Sequence, residues 1–251
     1  MTALPTKLKY DAIIEAILEV RFASSNILPE LLMGRLIDFP AWSKFVQRRL
    51  PTADIPDVIR NSDINLRYLP MIELAEVGGN RSIKIGHHAI AFHNKAPYLG
   101  WAKFNPALQE MIDLLFNANP EITIQRLGLR YINLLTPSKH FINNINDLNL
   151  SVKIGDHILQ EKLNLNFHTE EQENTTCMVR VATKEFVEFQ PPAELPPDAN
   201  VLVDIDVYTS KRLKHSSAVE VKSWLEAAHS IEKGAFFKLL KSDTIEGLRE
   251  V

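Results

Sequence analysis

The stretch Gln125-Arg126-Leu127-Gly128-Leu129-Arg130-Tyr131-Ile132-Asn133 decides how the rest of the chain reads. It lies in a run from Glu121 to Leu135 whose residues fall into two alternating sets. Ile122, Ile124, Arg126, Gly128, Arg130, Ile132 and Leu134 make one set. Thr123, Gln125, Leu127, Leu129, Tyr131 and Asn133 make the other. Successive side chains of a strand point to opposite faces, so this spacing predicts a central β-strand. Arg126 and Arg130 then share a face with Gly128 between them, their Cα atoms about 13 Å apart at about 3.3 Å per residue. Arginine offers planar, bidentate donors to carboxylate or phosphate, and a glycine lets a ligand come close. Arg126 and Arg130 are therefore candidate ligand-binding residues. The alternative is that both pair with acidic residues of a neighbouring strand.

Such a neighbour is visible from Ile13 to Phe22. Ile14, Ala16, Leu18, Val20 and Phe22 form an apolar set, with Glu15, Glu19 and Arg21 on the other face beside Ile13 and Ile17. If the two strands are adjacent, Glu15 and Glu19 neutralise Arg126 and Arg130. Cross-strand pairs of opposite charge contribute only about 0.2–1 kcal/mol each. A partly buried set acts mainly on register, because an unpaired buried charge is costly.

The chain's 251 residues suffice to bury a core without disulfides or metals. Apolar residues make up 45% and charged residues 24%, as in ordinary globular proteins. A formal net charge of −3 gives no general basic field for nucleic acid or membrane. Cys177 is the only cysteine, so no intramolecular disulfide forms, which fits a reducing cytosol. Residues 1–22 contain no uninterrupted apolar core of a signal peptide, and no window reaches the ~18 apolar residues of a membrane span. The expectation is a soluble, cytoplasmic protein.

Along the chain, Ser24 to Asn26 predict a turn and Leu28 to Leu50 a helix kinked or divided at Pro40, with Lys44, Arg48 and Arg49 at its basic end. Pro51 to Asp63 reads as a loop. Strands follow near Leu66 to Val77 and Arg81 to His93, joined by Gly78-Gly79-Asn80, a hairpin turn that needs positive φ. His87, His88 and His93 do not converge as metal ligands on such a strand. A helix is expected from Asn105, as cap, to Asn117, stopped by Asn119-Pro120. Tyr98 and Trp101 precede it, as a stacking pair for a base or as packing at the helix entry.

The second half predicts strands at Leu148 to Ile154, Leu159 to His168 and Thr176 to Thr183, with turns at Gly155-Asp156 and at the acidic run Glu170 to Asn174. Gln190 to Asn200, with four prolines, reads as a loop. Val201 to Tyr208 is a strand carrying Asp204 and Asp206 on one face, the carboxylate pair that a hard divalent ion or acid–base chemistry requires. No HD, HxD or glycine-rich phosphate motif accompanies them. Ser217 to Leu240 reads as a helix, with Ser217 and Glu220 as a capping box.

The fold expected is α+β with a mainly antiparallel sheet. A ferredoxin-like βαββαβ half spans residues 1–140. A β-meander and a C-terminal helix span 141–251, packed with the first half as one unit.

Five segments occur in order: Glu15-Ala16-Ile17-Leu18-Glu19-Val20-Arg21-Phe22, Tyr98-Leu99-Gly100-Trp101-Ala102-Lys103-Phe104, Arg126-Leu127-Gly128-Leu129-Arg130-Tyr131-Ile132-Asn133, Asp204-Ile205-Asp206, and Trp224-Leu225-Glu226-Ala227-Ala228-His229 with Phe236-Phe237. Together they resemble a sporadically distributed prokaryotic family of similar length that lacks an assigned function. Its patchy distribution, typical of mobile or defence-associated genes, implies an accessory role in conflict biology. The resemblance carries no active site, cofactor or partner. A tunnel-type triphosphatase barrel is a weaker match: only Glu19-Val20-Arg21 partly fits its Glu-x-Glu-x-Lys strand, and the long helices argue against a closed barrel.

Three functional expectations follow. The first is a non-catalytic binding or accessory protein of a defence or toxin–antitoxin system, with a protein partner encoded nearby and no cofactor. The second is a nucleotide- or nucleic-acid-binding module using Arg126 and Arg130, with Tyr98 or Trp101 stacking. The third is a metal-dependent phosphoesterase at Asp204 and Asp206.

Overall fold

Eleven strands and seven helices follow one another along the described chain: β1 (Ile13–Ala23), α1 (Pro29–Ile37), β2 (Phe45–Arg49), α2 (Asp57–Ser62), α3 (Ile64–Arg67), β3 (Ile72–Glu76), β4 (Arg81–Ile85), β5 (Ala89–Lys95), α4 (Trp101–Ala118), β6 (Thr123–Leu135), α5 (Pro137–His140), β7 (Val152–Ile154), β8 (His157–Leu159), β9 (Asn164–Gln172), β10 (Thr175–Thr183), β11 (Val201–Thr209), α6 (Ala218–Leu239) and α7 (Ser242–Leu248). The structure, a computed structural model, describes residues 4–5, 8–23, 29–118, 121–159, 162–187, 198–213 and 217–249. The expected turn at Ser24–Asn26, the Asn119–Pro120 helix stop and most of the Gln190–Asn200 loop lie outside them.

Nine strands form one sheet in the linear order β2-β3-β4-β5-β1-β6-β11-β10-β9, so the sheet is open rather than a barrel. Every ladder in it is antiparallel. The α+β class and the antiparallel sheet agree with the expectation from sequence. β6 pairs with β11, which carries the sheet across the boundary between the two halves without a break. The first half holds six strands instead of the four of a simple βαββαβ unit, because residues 45–49 form β2 and the expected strand from Arg81 to His93 turns back at Gly86 to His88 into the antiparallel pair β4 and β5.

β1 sits fifth of nine, between β5 and β6, and its pattern explains that position. Ala16, Leu18, Val20 and Phe22 are fully buried, facing α1, α4 and α6. One register shift, between Arg21 and Phe22 of β1, sets Arg21 opposite Arg126 and Phe22 opposite Ile124, leaving Gln125 as an extra residue on β6. Ile122 and Ile124 thereby enter the core, although strict alternation would place them with Arg126 on the other face. A second shift between Ile13 and Glu15 sends Ile14 across the sheet. There, with Ile132, it packs against a small cluster of Leu134, Ala182, Ala199 and Leu202.

Two helix expectations are corrected. Residues 45–49 form edge strand β2 rather than helix. Only Phe45 is buried, under Trp42, while Arg48 pairs with Glu73 of β3 at 3.5 Å. A short edge strand carrying basic side chains is protected from further pairing. Helix α4 begins at Trp101, four residues before the expected cap, because Gly100 at φ +81° opens the first turn and accepts from the Phe104 N–H at 2.9 Å. Asn105 is then an ordinary helix residue that donates to Glu226. The hairpin glycine Gly78 has φ +69°, and Ser217 and Glu220 form the predicted capping box. No described helix is long and apolar enough to cross a membrane.

A candidate ligand pocket and a neutralised charge ladder

The candidate residues read from sequence are divided between the two faces of the sheet. Glu15, Glu19, Arg126, Arg130, Asp204 and Asp206 lie on the face away from the long helices. Tyr98 and Trp101 lie on the helix side, packed against the core. The sheet therefore does not bring the arginines and those two aromatics together.

On the first face the charges close on each other. Arg126 donates from Nη1 to Glu19 at 3.1 Å and from Nη2 to Asp206 at 2.6 Å. Arg130 grips Asp204 bidentately, Nε and Nη2 donating at 2.7 and 2.6 Å, and the Asp204 side chain is only 3% exposed. Arg21 donates to Glu19 at 2.7 Å. Glu15 meets His93 Nδ1 at 2.9 Å instead of an arginine. Burial pushes Glu15 up, but the His93 hydrogen bond and the nearby charges of His93, Lys95 and Lys84 outweigh it, so its carboxyl stays below the usual range. Burial raises Asp206 against the pull of Arg126 and Arg130. The arginines also cover aromatic rings, Arg126 over Tyr208 and Arg21 over Tyr68, each at 4.7 Å. Asp204 and Asp206 are thus arginine partners. Among the described residues, no group of three or more His, Cys, Asp or Glu could hold a metal ion.

The helix side contains a cavity of about 240 Å³ between β1, β6, α4 and α6, with Tyr98, Trp101, Tyr131, His229, Glu232 and Phe236 in its wall. Its position follows from local packing. Asn94, fully buried on β5, accepts from the Leu99 N–H at 3.1 Å and fixes the segment that presents Tyr98. Tyr98 and Tyr131 share a hydroxyl–hydroxyl hydrogen bond of 3.0 Å. Trp101 stacks on His229 of α6, ring centres 3.9 Å apart and planes 9° off parallel, and donates its indole N–H to Glu226 at 3.3 Å. Lys222 of α6 donates to Asp113 of α4 at 2.6 Å, tying the two helices further along. Leu8 and Lys9 pair with Leu248 and Arg249, which lays the approach to β1 along the cavity, with Asp11 and Ala12 in its wall.

The titratable groups here are strongly displaced. Glu232 is 5% exposed and makes no hydrogen bond among the described residues. Burial raises its pKa to about 8, with the Lys233 charge pulling the other way. His229 is lowered to about 4 by burial, then by Lys233, with Glu226 opposing; its buried Nδ1 has no partner among the described residues. Burial also raises the Tyr98 and Tyr131 hydroxyls, and Glu232 and Asp11 push both further. At neutral pH the cavity thus presents the protonated Glu232 carboxyl, the neutral His229 imidazole and two phenols, with Asp11, Asn133 and Lys233 the other polar side chains in a largely apolar wall.

Glu232 escaped the reading of the sequence, yet it left a trace there. Val221, Leu225, Ala228, Glu232 and Phe236 recur at helical spacing, and all five are buried. An acidic residue on a core stripe is the irregularity that marks the site.

Comparison with protein-family models and with curated proteins gives no match.

Proposed function

We propose that this chain is a non-catalytic binding protein that holds a small molecule in the cavity between the sheet and helices α4 and α6. The observation that carries this reading is Glu232, a buried carboxyl aimed into a shaped, largely apolar cavity with no hydrogen-bond partner among the described residues. An apolar pocket with a few convergent polar groups of displaced pKa is the usual form of a small-molecule site. The charge ladder supports the non-catalytic part, since each arginine and each aspartate already has a partner of opposite sign. An accessory role in a defence or toxin–antitoxin system rests on the family resemblance and accords with a binding protein.

Native mass spectrometry of the chain purified from cells tests the reading. The expected result is one small molecule retained per chain and lost in Ala12→Leu, where added bulk enters the cavity wall. A chain that instead carries nucleotide, lost on Arg130→Ala, would move the function to the other face of the sheet.

A further inference from the structure

Three features of the cavity converge on one ligand chemistry. Glu232 brings an unpaired carboxyl to the wall at 5% exposure. A buried polar group without a partner is costly, and a ligand that supplies the partner recovers that cost. Asp11, whose Oδ1 already accepts from the Ile13 N–H at 3.0 Å, adds a second carboxyl, and among the described residues Lys233 is the only lysine or arginine in the wall. Much of the remaining wall is aromatic, including Trp101 and Phe236, and aromatic faces attract cations. The volume of about 240 Å³ lies between a cavity of ~150 Å³ that holds benzene and the ~300 Å³ lower bound for drug-sized ligands.

We infer that the cavity binds a small organic ammonium ion with an apolar body, its charge on Glu232 and its body among the aromatic side chains, an assignment that rests on the small-molecule reading above.

The chemistry is a proton exchange. Without a cation beside it, burial holds the Glu232 carboxyl protonated at pH 7, its pKa being about 8. An arriving R–NH₃⁺ stabilises the carboxylate, so the carboxyl gives its proton to solvent and an ion pair Glu232–COO⁻ with R–NH₃⁺ remains. The groups facing this exchange are Lys233 on the same helix, His229 one turn earlier and neutral at pH 7, Tyr98 and Tyr131 from the sheet side, and Asp11 before β1. A neutral ligand would leave the proton in place.

Titration calorimetry at pH 7 separates these cases. Benzylamine and 2-phenylethylamine are compared with benzyl alcohol and 2-phenylethanol, each in two buffers of different ionisation enthalpy. The amines are expected to bind with release of about 0.9 proton each, the fraction set by a pKa one unit above the pH. The alcohols should bind at least tenfold more weakly. Glu232→Gln should lose amine binding at least tenfold while still melting cooperatively; the proton count on the unaltered chain does not depend on that variant folding. Amine binding without proton release, or alcohols binding as tightly as amines, would overturn the ammonium assignment and leave the small-molecule reading standing. No binding by either set at millimolar concentration, with tryptophan fluorescence unchanged, would overturn both.

Discussion

The guanidinium of Arg126 lies over Gly128, so close that a Cβ built on the glycine would stand 2.3 Å from Nη1. Gly128 therefore makes room for its own neighbour rather than for a ligand. With that room, Arg126 reaches Glu19 on one side and Asp206 on the other. Gly128→Ala forces the guanidinium off this seat, and the expected loss is about 1–3 kcal/mol, the cost of leaving a buried polar partner unsatisfied. Arg126→Ala should cost at least as much. In the Arg126→Ala background the three atoms nearest the extra methyl are gone, so Gly128→Ala should then cost less than about 0.5 kcal/mol. Urea unfolding of the four proteins gives the coupling directly. Additive losses would show that the glycine acts through something other than Arg126.

Arg130 and Asp204 make a stricter case. The Asp204 side chain is 3% exposed and both its oxygens accept from Arg130. Removing the arginine alone strands a buried carboxylate, so Arg130→Ala should lose about 3 kcal/mol or more. Arg130→Met with Asp204→Leu removes both charges and should recover most of that. If stability falls equally in the single and double variants, packing rather than charge holds this corner of the sheet. The same variants test the nucleotide reading. With both arginines engaged by carboxylates, single-stranded nucleic acid should show no salt-dependent binding to the unaltered chain, as followed by fluorescence anisotropy.

The sequence made the central ladder legible because strand alternation is a short-range rule. Glu19 and Arg126 do meet, as adjacency of the two strands requires. Glu15 goes to His93 because β5 lies on the other flank of β1, and strand order is a long-range property that alternation does not encode. Tyr98 and Trp101 were visible as a pair, but their face was not: the hold of buried Asn94 on the Leu99 N–H and the early start of α4 depend on tertiary packing. Residues 44–50 misled because apolar spacing in so short a run suits helix or strand alike. Glu232 was readable as a break in the α6 stripe, although nothing local says that the stripe faces a cavity instead of a filled core.

Glu232 should leave a signature in the pH dependence of stability. Its pKa is about 8 folded, against an ordinary value of 4.5. An acid raised by folding stabilises fully below its unfolded pKa, and that contribution is lost as pH climbs from about 4.5 through about 8. Stability should therefore fall by a few kcal/mol over this window, and Glu232→Gln should flatten the fall and be more stable than the unaltered chain at pH 8.5. Melting temperatures across pH 5–8.5 decide the matter. Parallel profiles for the two proteins would mean that the Glu232 carboxyl titrates normally in the folded state.

His229 should act in the opposite direction and at lower pH. Burial against Trp101 lowers its pKa to about 4 from an ordinary value of 6.5. A base lowered by folding contributes stability that is complete above about 6.5 and is lost as pH falls through about 4. The indole face is central to this, because it shields the ring from water at a centroid distance of 3.9 Å. Trp101→Ala opens the ring to solvent, and the His229 pKa should rise by about 1–2 units toward its ordinary value. Proton NMR of the His229 ring reads the change without reference to stability. In the unaltered chain this resonance should not shift between pH 5.5 and 8, and in Trp101→Ala its midpoint should move up to between about pH 5 and 6. Lys233, the charge next in influence, supplies the control: Lys233→Met should raise the His229 pKa less than Trp101→Ala does. If it raises the pKa more, charge repulsion outweighs burial and the stacked indole merely occupies space.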